Sequence, residues 1–223
     1  MPFRAAIFDL DGTIVDNMPL HVEAFAIFAS RHGLPPLTLA DRRRLDGKRN
    51  REIFPDLFGR ALSREELRAF EAEKESLYRS LSAGRLAPLP GFDRLTADLR
   101  ARAVPVAIAT SAPPENVRHT LREIGLDPAS LVIARGDEVA RGKPWPDVFL
   151  EAAARLGVAG EECVAFEDAP IGIAAAAAAG MRTVAVTTSF QAADLARHDP
   201  PPHHVVSDFE EYLGSGLADG HFA

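Results

Sequence analysis

The chain has 223 residues, enough for one large domain or for a medium domain carrying a smaller one, and 47% hydrophobic with 26% charged residues reads as a soluble globular fold. A net charge of −7 argues against a chain built to bind nucleic acid, so any anionic ligand must be held by a local site. The single cysteine, Cys163 in "ECVAF", excludes an intramolecular disulfide and a cysteine metal cluster and predicts a buried thiol. Asp9 and Asp11 interrupt the first apolar run, so the N-terminal stretch does not read as a secretory leader, and no later stretch reaches the ~18 to 20 apolar residues of a membrane span. A cytoplasmic location with no membrane partner is the expectation.

In chain order, Ala5–Phe8 is the first short apolar run and predicts a buried strand, which ends in "DLDGTIVD". From Asp16 to about Leu86 the pattern is helical with no convincing strand. "MPLHVEAFAIFASRHG" predicts one helix ending at Gly33. "LSREELRAFEAEKESLYRSLSAG" predicts a second, with Ser63 and Glu66 as a capping box and Leu62 and Leu67 spaced as a hydrophobic staple. "LAPLPG" then reads as a return linker. The expected division is a core of residues 1–15 and 87–223 and a helical insertion of residues 16–86.

Beyond the linker, apolar runs at Val104–Ala109, Leu131–Ala134, Val164–Phe166 and Thr183–Val186, with a weaker one at His204–Val206, alternate with amphipathic segments. "PPENVRHTLREIG" places Val117, Leu121 and Ile124 on one face before Gly125. "KPWPDVFLEAAARLG" does the same with Val148, Phe149, Ala152 and Leu156 before Gly157. The alanine run Ala174–Ala179 predicts a helix packed closely on a sheet, with Gly180 as its stop. Continuous rather than alternating apolarity marks strands covered on both faces, so the expected fold class is α/β, a doubly wound parallel sheet with a small helical domain inserted after its first strand.

Polar residues fall where these runs end. Asp9 ends the first, Thr110 and Ser111 end "VPVAIA", and Glu167 and Asp168 end "CVAF". In an open parallel sheet these carboxyl ends lie along the ligand-binding edge. Taken singly, each has an ordinary reading as a turn residue, a helix cap or, for Lys143 in "RGKPWPD", a solvated charge. Together, Asp9, Asp11, Glu167 and Asp168 concentrate negative charge that suits Mg²⁺, while a Thr110 hydroxyl and the Lys143 ammonium suit the oxygens of a phosphate.

"DLDGTIVD", "ATS", Lys143 in "GKPWPDVF" and "FEDAPIGIAAAAAAGM" resemble, in order, the four signatures of the haloacid dehalogenase superfamily, with its Rossmann-like core and inserted cap. The nearest subgroup in this resemblance is that of the β-phosphoglucomutase-like phosphatases. The resemblance implies Asp9 as the nucleophile that forms an aspartyl phosphate, and Asp11 as general acid and then base. It implies Mg²⁺ held by the Asp9 carboxylate, the Asp11 backbone carbonyl and Asp168, with Glu167 acting through a metal-bound water. Thr110 and Lys143 would neutralise the transferring group. An acid two residues after the nucleophile favours phosphate esters over the dehalogenases and phosphonatases, which lack it.

Phosphatase and mutase remain. The similar mutase holds a second phosphate with serine and asparagine after its second signature, whereas here Ala112 and Pro114 stand at those positions and cannot donate such bonds. Ser111 and Ala112 are nonetheless expected to line the substrate site. "LDGKRNREIF" resembles the cap's specificity loop around Gly47, with Asp46 in place of a mutase lysine and Lys48, Arg49 and Arg51 rearranged. His21 reads either as a selector of sugar over water or as a helix residue packed beside the hinge. Lys74 lies on the stripe of Leu67, Phe70, Leu77 and Leu81, and reads either as a snorkelling lysine or as an ammonium aimed into the cleft. The resulting expectation is a Mg²⁺-dependent phosphatase of a small, sugar-like phosphate ester, a monomer or weak homodimer, with hinges near Val15–Met18 and Leu86–Pro90. A β-phosphoglucomutase-type mutase is the alternative, and a phospho-accepting signalling receiver the rival from another class.

Overall fold

Between residues 2 and 222 a computed structural model describes the chain, apart from the side chains of Leu39 and Arg43; Met1 and Ala223, the ends of the expected core, lie outside the described residues. Six parallel strands, β1 (Ala5–Phe8), β2 (Val106–Thr110), β3 (Val132–Arg135), β4 (Cys163–Glu167), β5 (Arg182–Val186) and β6 (His204–Val206), form one sheet in the order β3-β2-β1-β4-β5-β6. The order reverses between β1 and β4, so the crevice outside their carboxyl ends is the topological switch point. β2 begins after Pro105 instead of at Val104, because proline has no N–H to give to a ladder.

Strand alternation sends Phe8, Val164, Phe166, Val184 and Val206 to one face and Ala5, Ile7, Ala107 and Ala165 to the other. The first face is covered by α5 (Phe92–Ala101), α6 (Pro114–Glu123), α10 (Phe209–Gly214) and α11 (Leu217–His221), through Leu95, Leu99, Val117, Leu121, Phe209 and Tyr212. The second is covered by α7 (Asp147–Leu156) and α8 (Pro170–Ala178), through Phe149, Ala152, Ala175 and Ala176. The alanine run is thus the packing face of α8, and Gly180 at φ +80° follows its end. Cys163 is buried in the same layer. α9 (Ala192–Ala196) lies between β5 and β6, the edge strand.

Between β1 and α5 come α1 (Met18–Arg31), α2 (Leu39–Leu45), α3 (Asn50–Phe58) and α4 (Arg64–Ser82). Ser63 caps α4 as its sequence implies: its hydroxyl accepts from the Glu66 N–H at 3.1 Å and its own N–H donates to the Glu66 carboxylate at 2.8 Å. Phe25, Phe28, Phe54, Phe58 and Phe70 pack as ring pairs between α1, α3 and α4, giving this segment an apolar centre of its own. The chain leaves and re-enters side by side, with Leu89 N–H donating to Ile14 O at 2.8 Å and a bridge between Val15 and Pro88. No helix among the described residues is long and apolar enough to cross a membrane.

His221, beside the N-terminal strand, stands edge-on to Phe3 and shares a 2.8 Å hydrogen bond between its Nδ1 and the Tyr212 hydroxyl. Burial, then the positive neighbours His204, Arg182 and His203, pull its pKa down from 6.5 to about 4. Below 6.5 the unfolded chain takes up a proton that the folded chain refuses until about pH 4, so this residue removes stability across that window. Urea midpoints measured at pH 7, 6, 5 and 4 will fall more steeply for the natural protein than for His221→Gln.

Candidate active site

Asp9 follows β1, and its N–H still bonds Phe166 O on β4 at 3.0 Å. Leu10 turns back into the core, fully buried. Gly12 then adopts φ +82°, and a Cβ there would stand 2.1 Å from Asp168 Oδ2. Glycine at this position therefore both releases the chain from the sheet and leaves room for the facing carboxylate.

Lys143, ahead of α7, donates from Nζ to Asp9 Oδ1 and to Glu167 Oε1, each at 2.6 Å, and all three residues are buried. Glu167 Oε2 accepts from the Ala169 N–H at 2.7 Å. Asp168 accepts from Thr13 Oγ1 at 3.3 Å and from the Ser189 hydroxyl. Oxygens of Asp9, Glu167 and Asp168 lie within 4.8 Å of one another. Three carboxylates thus share one ammonium.

The imbalance shows in their protonation. Burial, opposed by Lys143 but reinforced by Glu167 and Asp11, pushes Asp9 up from 3.8 to about 7. Burial and then the charges of Glu167 and Asp9 hold Asp168 well above the usual carboxylate range. Burial works against the Lys143 charge, yet Asp9 and Glu167 more than offset it and its pKa is raised. A buried set of carboxylate oxygens with surplus negative charge fits a hard divalent cation.

The Asp11 carboxylate does not join that cluster; it faces the helical insertion. Its Oδ1 accepts from Asn17 Nδ2 at 2.6 Å, and the same nitrogen reaches the Tyr78 hydroxyl at 2.6 Å while Asn17 Oδ1 accepts the Gly12 N–H at 3.1 Å. His21 stacks on Tyr78 with ring centroids 3.8 Å apart, its Nε2 3.9 Å from Asp11 Oδ1. Burial would raise the Asp11 pKa, but His21, Asn17 and Lys74 outweigh it and the carboxyl is held below its ordinary value.

Lys74 is 2% exposed, which rules out the snorkelling alternative. Its Nζ donates to His21 Nδ1 at 2.8 Å and to Glu75 Oε1 at 2.9 Å, 4.4 Å above the Phe25 ring. An ammonium can only donate, so Nδ1 is the acceptor of that bond, and the other ring nitrogen, Nε2, is buried with no hydrogen-bond partner.

Between core and insertion lies a cavity of about 90 Å³ lined by Asp9, Asp11, His21, Gly47, Lys48, Lys74, Thr110, Ser111, Ala112, Lys143 and Asp168. Thr110 is buried, with Oγ1 accepting the Ala112 N–H at 3.0 Å, so Ala112 shows the cavity only a methyl group. Ser111 Oγ donates to Gly47 O across the cleft at 2.8 Å. Lys48 sits at the rim, 3.9 Å from Asp56. Glu167 lies behind the wall, and Arg49 is not brought to the cavity: it donates instead to Glu52 and to backbone carbonyls of the core. Sequence reasoning missed Asn17, Glu75 and Asn116. Asn17 reads as the N-cap of α1, but its side chain makes no cap bond and serves Asp11. Glu75 binds Asn50 Nδ2 at 2.7 Å and Asn116 Nδ2 at 2.5 Å, contacts that no local spacing announces.

A parallel sheet with a buried acid cluster and lysine at its switch point, roofed by an inserted helical segment, is the arrangement of a doubly wound α/β enzyme that binds its ligand outside the carboxyl ends of the strands. The model of the haloacid dehalogenase-like hydrolases matches residues 3–180. A phosphorylated carbohydrates phosphatase of Thermotoga maritima is 32% identical over 81% of this chain and 83% of its own length. Hexitol phosphatase A of Escherichia coli is 34% identical, over 83% and 84%. The crystal structure of a β-phosphoglucomutase from Clostridium difficile superposes with a TM-score of 0.82 at 26% identity, covering 98% of each chain. The chain belongs to the haloacid dehalogenase-like hydrolase family and groups with its β-phosphoglucomutase-like members. The receiver alternative gives way to this membership.

Removing the one ammonium leaves three buried carboxylates without a counter-charge. Lys143→Met will lose about 3 to 5 kcal/mol of stability in chelator-treated buffer at pH 8. The loss will shrink as the pH falls toward 5, because the stranded carboxylates then take up protons in the folded state; urea titrations across that range are the measurement.

Proposed function

We propose that the protein hydrolyses phosphate monoesters of small, sugar-like compounds through an aspartyl-phosphate intermediate on Asp9, with Mg²⁺ as cofactor. The carrying observation is the contrast between the two aspartates: Asp9 lies in the acid cluster against Lys143, while Asp11, two residues on, faces the cavity from the side of the insertion. Phosphatases of phosphorylated carbohydrates and hexitols among the relatives support the substrate class.

The Asp9 and Asp168 carboxylates and the Asp11 backbone carbonyl, with Glu167 behind them, would hold the ion, which would supply charge neutralisation for the phosphoryl oxygens. An Asp9 oxygen attacks phosphorus as the bond to the ester oxygen breaks. Lys143 and Thr110 bind the oxygens of the moving group, and Asp11 passes a proton to the departing alkoxide. Water then attacks the aspartyl phosphate, giving its proton to Asp11, and phosphate leaves Asp9 as a free carboxylate. Asp11 as held here favours its charged form, the base of the second step. The negative phosphate arriving beside it raises its affinity for the proton needed in the first.

The mutase reading is favoured by the likeness to β-phosphoglucomutase. The segment after β2 speaks for hydrolysis: Ala112 offers no free donor, and both ends of the Asn116 amide are engaged, by Arg79 at 2.8 Å and by Glu75. At about 90 Å³ the cavity is also below the roughly 300 Å³ of an ordinary small-molecule pocket. Residues 16–86 therefore act as a cap that opens to admit substrate and closes to exclude water.

With Mg²⁺ present, hexose and hexitol phosphates will release phosphate, and Asp9→Asn will lower the rate by on the order of 10³-fold or more. Wild-type turnover by Asp9→Asn would overturn the nucleophile assignment. β-Glucose 1-phosphate with a trace of its bisphosphate will give free phosphate; accumulation of glucose 6-phosphate would make the enzyme a mutase.

A further inference from the structure

Arg49 sits in the loop expected to meet substrate, yet its buried guanidinium points away from the cavity and into the core. Nε donates to Glu52 Oε1 at 2.9 Å, and one terminal nitrogen donates to the same oxygen. The other terminal nitrogen donates to Gly136 O at 3.1 Å and to Val139 O at 3.5 Å. Those carbonyls belong to the loop that runs from the end of β3 to Lys143. Glu52 also accepts the Arg49 N–H at 3.1 Å, so one carboxylate closes the first turn of α3 and aims the guanidinium.

The receiving slot exists because two side chains are missing. A Cβ on Gly136 would stand 3.1 Å from Arg49 Cδ, and one on Gly142 would stand 2.5 Å from Nε and 2.9 Å from Cζ. Neither glycine has a positive φ, so the backbone does not require glycine there; the space for Arg49 does. A planar fork can serve a carboxylate and two carbonyls at once, which a lysine ammonium cannot do in the same geometry.

From this geometry we infer that Arg49 is a positioning residue: it latches the cap onto the Gly136–Lys143 loop, so that closure over the cavity and registration of Lys143 against Asp9 and Glu167 occur together. Its kinetic consequence rests on the phosphatase reading, whereas the latch itself does not. Closure is then sensed by the lysine without any contact between Arg49 and substrate.

Arg49→Ala, Arg49→Lys, Gly142→Ala and the double variant Arg49→Ala with Gly142→Ala test this in the full chain. Gly142→Ala fills the slot from the core side while Arg49 and its charge remain. Amide hydrogen exchange is measured without substrate, and hydrolysis is measured on p-nitrophenyl phosphate and a hexose phosphate with Mg²⁺. Both alanine variants will exchange faster across residues 136–142 with the rest of the sheet unchanged, which separates unlatching from unfolding. Both will lose on the order of 10- to 100-fold in kcat/KM on both substrates. Arg49→Lys will recover little, and the double variant will be within about twofold of the worse single one, since both changes break one contact. If the losses multiply, or if Gly142→Ala behaves as wild type while Arg49→Ala raises only KM for the hexose phosphate, Arg49 is a substrate contact and the inference fails. Should the wild type hydrolyse no phosphate ester, the phosphatase reading fails, and exchange alone decides: an unchanged 136–142 loop in Arg49→Ala overturns the latch.

Discussion

Everything at this site depends on an unbalanced buried charge, three carboxylates around one ammonium, that the sheet assembles at its switch point. Isolated buried charges are costly, so their neighbours are constrained tightly. Phe8 pairs with Phe166 across β1 and β4, and the rings stack at 4.6 Å, so the residues that follow, Asp9 and Glu167, emerge together. Gly12 keeps clear of Asp168, and Gly172 keeps clear of Glu167, whose Oε1 would lie 1.7 Å from an added Cβ. The site is therefore held by an aromatic floor from one face of the sheet and by two missing side chains, one in the loop after β1 and one on α8.

How much of this can be read from residues in a row varies with the kind of interaction. The strands are legible because both faces are covered, which leaves continuous apolar runs, and their polar ends are legible because a parallel sheet brings those ends to one edge. The capping box at Ser63 and Glu66 is local and reads directly. Helices α2 and α3 are harder: "LADRRRL" is largely charged, and Pro55 sits inside α3, where proline ordinarily signals a break. Hardest are the contacts made when α4 meets α1 and α6, such as Asn17 to Tyr78, Tyr78 to Thr120 and Glu75 to Asn116. Those partners are set by packing between distant segments, and no period in the chain records them. Arg49 is the instructive case, since its place in the loop suggested a ligand contact and Gly136 and Gly142, far along the chain, provide the slot that takes it elsewhere.

The two aspartates of "DLDG" illustrate how one fold gives the same side chain two chemistries. Asp9 lies among other acids, and burial with their charges lifts it to about 7, so it is the residue that a cation would turn into a competent carboxylate. Asp11 has Asn17, His21 and Lys74 around it, and these hold it low. Environments that push neighbouring titratable groups apart assign them separate roles. Here the separation comes from two parts of the chain: the end of β4 and the loop before α7 supply Glu167 and Lys143 to Asp9, whereas Asn17, His21 and Lys74 come to Asp11 from the N-cap of α1, α1 itself and α4. Opening the insertion would withdraw those groups from Asp11 and break the Arg49 bonds to the Gly136–Lys143 loop, so in the proposed reaction both the proton handling of Asp11 and the placing of Lys143 are tied to the position of the insertion.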